Sequence, residues 1–169
     1  MLVREETPND LGIIREINRQ AFGGEAEVQL IDRLRADGDV VLSLVAQIDG
    51  EVVGHILFSK LESETTGGSI KAVALAPMAV SPEFQERGIG TAMIERGLAL
   101  CRERGYNVVV VLGHPDYYPR FGFSREKAQA LKSPYSELGE AYMALELVPG
   151  ALEGVSGSVR YAKAFEGLK

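Results

Sequence analysis

Gln85, Gly88, Gly90 and Thr91 stand directly after the apolar run Met78-Ala79-Val80 and directly before a stretch of good helix formers. A strand, a glycine turn and a helix start in that order make an anion site. Backbone N–H groups in the first turn of a helix lack intrahelical partners and lie at the positive end of the helix dipole, and glycines let a ligand approach the main chain. A phosphate group suits such a turn. Two phosphate motifs are excluded by residue. A P-loop ends Gly-Lys-Ser/Thr, but Gly90 is followed at once by Thr91; a dinucleotide fingerprint needs glycine where Met93 stands.

Other reactive side chains are few. His55 lies in a predicted strand and its ordinary pKa suits proton transfer, although strand histidines are more often structural. Glu25 and Glu27 open a predicted helix, and Glu83 follows Pro82. Cys101 is the single cysteine, which excludes an intramolecular disulfide and a thiolate-rich metal site. Its mid-helix position reads as a small core residue and disfavours a covalent intermediate on its sulfur. A second distinctive stretch runs Gly113-His114-Pro115-Asp116-Tyr117-Tyr118-Pro119-Arg120-Phe121-Gly122-Phe123.

Gln85-x-x-Gly88-x-Gly90 after its strand, followed by Tyr118-x-x-x-Gly122-Phe123, resembles the GNAT superfamily of acetyl-CoA-dependent N-acetyltransferases. Tyr-Tyr-Pro-Arg-Phe-Gly-Phe brings it nearest to uncharacterised bacterial members of that family. The resemblance covers Met1 to Leu147. It implies an α/β fold of the acyl-CoA N-acyltransferase type: a mixed, mostly antiparallel sheet of about six or seven strands flanked by about four helices. It also implies a bulge around Pro77, which agrees with the rule that proline within a strand marks an edge or a bulge.

The resemblance implies acetyl-CoA as cofactor, with Met78, Ala79, Val80, Gln85, Glu86, Arg87, Gly88, Ile89, Gly90 and Thr91 binding it and no metal. Amides from Arg87 to Thr91 would hold the pyrophosphate, Gln85 would support the turn, and Thr91 could bond a phosphate oxygen. Val80 would pair with the pantetheine arm, and the Met78 N–H would face the developing oxyanion. Tyr118 occupies the position of the general acid; a phenol, with a reference pKa of about 10, is protonated at neutral pH and can donate to a thiolate. Tyr117 and Phe121 read as packing, and Arg120 as a surface or phosphate contact. The general base stays open among Glu25, Glu27, Glu83, His55 and a water. The implied reaction is acetyl transfer to a primary amine, of a small molecule or a protein, by direct attack in a ternary complex. The alternative is a non-catalytic acyl-CoA-binding or sensing domain. Dimerisation is common in the family, so a homodimer is possible.

Composition fits an ordinary globule, with 46% apolar and 25% charged residues. A formal charge of −6 argues against a nucleic-acid or anionic-membrane partner. Arg87 to Lys132 holds eight Lys/Arg against four acids, a balance of +4, which leaves −10 for the remainder. An anionic cofactor on the basic part and an amine drawn to the acidic part would explain the split. Neither a leader nor an apolar run long enough to span a membrane is present, so a cytoplasmic location is the expectation.

The elements that must position these residues follow in order. Leu2 to Glu5 reads as a strand. Thr7, Pro8 and Asp10 begin a helix that carries Leu11, Ile14, Ile17 and Ala21 and stops at Gly23-Gly24. A second helix spans Glu25 to Ala36. Asp49-Gly50 joins strands Val40 to Ile48 and Glu51 to Leu61 as a hairpin. Ser63 to Ser69 reads as a polar loop, Ile70 to Val80 as a strand, and Asn107 to Leu112 as a strand covered on both faces. Ser133-Pro134-Tyr135 reads as a loop, which the family resemblance places at the acceptor site, before a last strand from Ala141 to Leu147. Residues 1–147 form the expected domain. The tail, 148–169, would dock on it through Val159, Tyr161 and Phe165.

Overall fold

Asp49 and Gly50, both at positive φ (50° and 81°), close the turn between β2 (Val40–Ile48) and β3 (Glu51–Thr66), the longest strand. The structure, a computed structural model, describes residues 1–167; Leu168 and Lys169, the end of the expected tail, lie outside the described residues. β1 (Leu2–Glu5) pairs with β2, and β4 (Ala72–Val80) pairs with β3, both antiparallel. β5 (Val108–Leu112) is parallel to β4, and β7 (Tyr142–Glu146) is antiparallel to β5.

Among the described residues the sheet has eight strands, against an expected number of about six or seven. The stretch read as a polar loop from Ser63 is strand as far as Thr66. It pairs with β8 (Ser156–Tyr161) of the tail, which in turn carries the two-residue β6 (Leu131–Lys132). The strand was hidden because its stability comes from a partner about 90 residues away in sequence and from backbone bonds, not from an apolar period.

α3 (Ile89–Glu103) covers one face of the sheet. It buries Ile89, Met93, Ile94 and Cys101 against Leu44, Ile56, Phe58, Val109 and Val111. On the opposite face α1 (Leu11–Phe22) and α2 (Ala26–Ala36) bury Ile14, Leu30, Ile31 and Leu34 against Val45, Leu57 and Phe165. Val108 and Val110 of β5 face a third cluster with Ala128 of α4 (Arg125–Ala128), Leu131 and Val159. Alternate valines of β5 therefore serve opposite faces, which is why that strand is continuously apolar.

Between sheet and α1 lies a buried polar chain. Asn18 Nδ2 lies 3.1 Å from His55 Nδ1, and His55 Nε2 lies 2.9 Å from Ser43 Oγ. Ser43 donates to Glu6, which is paired with Arg35. The Asn18 amide donates to Nδ1, so the proton sits on Nε2 and the imidazole is neutral. Burial, with Arg35 adding to it, holds the His55 pKa down at about 3. The buried acid Asp10 is held at about 2, chiefly by its bidentate bonds from Arg4 (2.8 and 3.1 Å).

Candidate active site

Along β4 the register slips by one residue. Met78 pairs with Ile56 and Leu75 with Phe58, so three steps of β4 oppose two of β3 and a bulge falls at Ala76-Pro77, whose peptide bond is cis. Pairing with β5 ends at Leu75–Val111, while β4 continues to Val80. The two parallel strands thus part beside the bulge. Ser81 N donates to Val53 O (2.8 Å), so hydrogen-bonded pairs fall at Ser81–Val53 and Ala79–His55. In an antiparallel ladder such pairs alternate with non-bonded ones, so the N–H groups of Met78 and Val80 point away from β3, into the gap.

At the end of β4 the chain makes a 3₁₀ turn, Pro82–Phe84, and Gln85 Nε2 reaches back to the Val80 carbonyl (3.1 Å). Gln85 thereby ties the turn to the strand. Glu86 (φ 64°) and Gly88 (φ 80°) are left-handed, with Arg87 between them. Such alternation turns neighbouring N–H groups toward a common anion, and positive φ at a residue with a side chain, as at Glu86, is a conformation that gathers at functional sites. Gly88 caps α3, its carbonyl accepting from Ala92 N (3.1 Å). Among the described residues, the N–H groups of Ile89, Gly90 and Thr91 have no protein acceptor. A diphosphate fits this turn, because it would supply acceptors to donors that otherwise have only water.

Tyr118 opens the 3₁₀ turn Tyr118–Phe121 and is 7% exposed. Its ring stands edge-on to Tyr117 (5.3 Å) and Phe123 (5.6 Å) and lies flush on Gly113, where a Cβ would come within 2.5 Å of it. Burial, with Tyr117 beside it, pushes the phenol up to about 12. Its hydroxyl makes no hydrogen bond among the described residues. Tyr118 lines a cleft of about 290 Å³ together with Pro77 and Met78 at the bulge, Leu112 at the end of β5 and His114 just past it, Phe22 at the end of α1 and Glu27 in the first turn of α2.

The open question of the base narrows. Glu27 lines this cleft; Glu25, on the same helix entry, is exposed and held by Arg19 (Nη2 to Oε1, 3.0 Å), which lowers its pKa. Glu83 is exposed on the turn after β4, outside the cleft lining. His55 is fully buried, neutral and bonded at both nitrogens, so it is removed as a base: its strand position was legible, its depth was not. Cys101 is fully buried in the core, with its thiol pushed up to about 12 by desolvation. Tyr135, expected beside the acceptor, stands edge-on to Tyr161 of β8 (4.9 Å) and does not line the cleft. Arg120 lies over the Tyr117 ring (5.3 Å).

Two features escaped the sequence. His114 stands in the cleft lining, and the only signal for it was its position just past a strand end. Tyr117, read as packing, also places its hydroxyl 3.2 Å from Thr91 Oγ1, at the start of α3. Among the described residues no three His, Cys, Asp or Glu converge to hold a metal, and no helix is long and apolar enough to cross a membrane.

Comparison with known proteins agrees with this geometry. Residues 3–125 match the acetyltransferase (GNAT) domain family. The uncharacterised N-acetyltransferase YhbS of Escherichia coli is 36% identical over 166 residues, covering 98% of each chain. The uncharacterised N-acetyltransferase YjhQ of Escherichia coli is 35% identical over 159 residues, 91% of this chain and 88% of that protein. A crystal structure of YhbS in complex with CoA superposes with a TM-score of 0.89 at 35% identity, covering 99% of this chain and 93% of that one. A GNAT acetyltransferase from Brucella melitensis in complex with acetyl-CoA gives 0.77 at 35% identity, with 97% of each chain covered. With its parted β4 and β5 strands, its glycine-led helix and these relatives over nearly its whole length, the chain belongs to the GNAT family of acetyltransferases.

Proposed function

We propose that this protein binds acetyl-CoA and transfers its acetyl group to a primary amine by direct attack in a ternary complex. The observation that carries the reading is the gap between β4 and β5, entered by the Met78 and Val80 amides, with the glycine turn at one end and the Tyr118 cleft at the other. Acetyl-CoA supplies an activated thioester and a diphosphate handle. Amides at Gly88 to Thr91, with Glu86, Arg87 and the Thr91 and Tyr117 hydroxyls close by, hold the diphosphate; Gln85 keeps the turn against Val80. Ala79 fastens β4 to β3 and leaves Val80 free to pair with the pantetheine arm. The Met78 N–H meets negative charge as it develops on the carbonyl oxygen, a role worth several kcal/mol when a donor is already in place.

The amine nitrogen bonds to the acyl carbon, the carbon–sulfur bond breaks as Tyr118 gives its proton to the leaving sulfur, and the proton shed by the nitrogen passes to solvent water, from which the Tyr118 phenolate regains one. A phenol near 12 is protonated throughout the physiological range, so the acid is always loaded. A thiol as buried and weakly acidic as Cys101 supports direct attack over an acyl-cysteine. The tail, pairing with β3 through β8, acts with residues 1–147 as one unit. The test is thiol release from acetyl-CoA across a panel of primary amines, beside calorimetric titration with acetyl-CoA. Amine-dependent release supports the reading; absence of acetyl-CoA binding overturns it.

A further inference from the structure

The cleft beside Tyr118 has a composition that selects its occupant. Apart from Glu27, His114 and the Tyr118 hydroxyl, every side chain lining it is apolar, including Phe22, Leu30, Leu75, Pro77, Met78 and Leu112. Phe22 is 45% exposed and Leu112 37% exposed, a large apolar surface left bare on the two sides of one cleft. Glu27 is half-buried in the first turn of α2 and makes no hydrogen bond or ion pair with any described residue. Its neighbour Glu25 lies outside the lining and is paired with Arg19, and among the described residues Glu27 is the one carboxylate in the lining.

An occupant that fills this cleft strips water from Glu27. A carboxylate losing its water without gaining a partner is strongly disfavoured, so the occupant must bring a cation or a donor to that point. Away from Glu27, His114 and the Tyr118 hydroxyl the walls offer no polar side chain, and each hydroxyl or second ammonium pressed against Phe22 or Leu112 would be left unpaired. At about 290 Å³ the cleft is at the small end for ligand sites.

Resting on the acetyltransferase reading above, we infer that the acceptor is a small primary monoamine with an apolar carbon frame, an alkyl- or arylalkylamine, whose ammonium is bound by Glu27. Glu27 acts as a positioning residue. The ammonium gives up its proton to solvent water before the nitrogen attacks. Polyamines, amino sugars and amino alcohols are disfavoured by the walls.

The test is equilibrium titration of the CoA-saturated full chain with 2-phenylethylamine, n-hexylamine, ethanolamine, spermidine and 2-phenylethanol. 2-Phenylethylamine and n-hexylamine bind at least ten-fold more tightly than ethanolamine or spermidine. Glu27→Gln weakens both amines ten-fold or more, leaves 2-phenylethanol unchanged, and in turnover raises KM with a smaller change in kcat; Glu27→Asp restores part of the loss. Equal or tighter binding of spermidine or ethanolamine overturns the inference, as do amine affinities indifferent to Glu27→Gln and the failure of every amine to bind. Titration of the ligand-free chain with acetyl-CoA keeps the two readings apart. If acetyl-CoA binds but the amine order is wrong, the acceptor class alone falls; if acetyl-CoA does not bind, the proposed function falls, and the amine titration repeated without CoA still reads the cleft.

Discussion

The hydroxyl of Tyr117 lies 3.2 Å from Thr91 Oγ1, joining the segment that carries Tyr118 to the first turn of α3. The same hydroxyl would stand 3.2 Å from a Cβ placed on Gly90, so three parts of the proposed site meet within one hydrogen bond. Tyr117→Phe removes that bond and keeps the ring contacts with Tyr118 and Phe121. A single such bond contributes about 0.5–1.5 kcal/mol. The expected outcome is an acetyl-CoA affinity lower by about two- to ten-fold, read by calorimetry, with a smaller change in kcat.

Tyr118→Phe keeps the edge-on packing and removes the acid. Turnover falls ten-fold or more, about what a positioned acid contributes, while acetyl-CoA affinity changes little. Equal turnover of variant and parent on a verified acceptor would remove Tyr118 from the role. Because the phenol loses its proton only near pH 12, a fall in kcat below pH 10 belongs to another group.

Gly88→Ala tests the turn that holds the diphosphate. At φ 80° a side chain costs about 1–2 kcal/mol, which for a chain of this size lowers Tm by about 2–8 °C. Relief of that strain would re-aim the amides of Ile89 to Thr91, so acetyl-CoA binding weakens beyond what stability alone explains. Thermal shift with and without acetyl-CoA separates the two effects.

His55 makes folding pH-dependent. Its pKa falls from about 6.5 unfolded to about 3 folded, so below pH 6.5 the unfolded chain binds a proton that the native chain refuses. Stability is therefore full above pH 6.5 and is lost as pH falls toward 3, by at most about 1.4 kcal/mol per pH unit from this one group. Asp10 adds a second loss from about pH 3.9 down to 2, as its bonds to Arg4 are protonated away. Denaturant unfolding of His55→Gln between pH 7 and 4 is expected to show lower stability at neutral pH and a flatter pH dependence. An unchanged slope would show that the imidazole is not the group responsible.

What could be read from local sequence was governed by local physics. Pro8, Gly23 and Gly50 punctuate the chain where backbone geometry demands it, and β5 advertised burial on both faces through four successive valines. Pro77 marked the bulge because proline cannot donate to a ladder. Ser63 to Thr66 was misread because a polar strand carries no apolar signal, and its partner, Ser156 to Val159, is brought beside it only by the completed sheet.

By itself the sequence determined the order of elements as far as β5, the glycine turn after β4 and the type of residue at Tyr118, since each depends on neighbours within a few positions. Tertiary structure alone decided which acids and bases meet the cleft. It turned Glu27 inward while Arg19 captured Glu25, sank His55 beneath α1, carried Tyr135 to Tyr161, and parted β4 from β5 beyond Leu75. Those outcomes depend on contacts between residues far apart in the chain, where desolvation and register, not spacing, choose the partner.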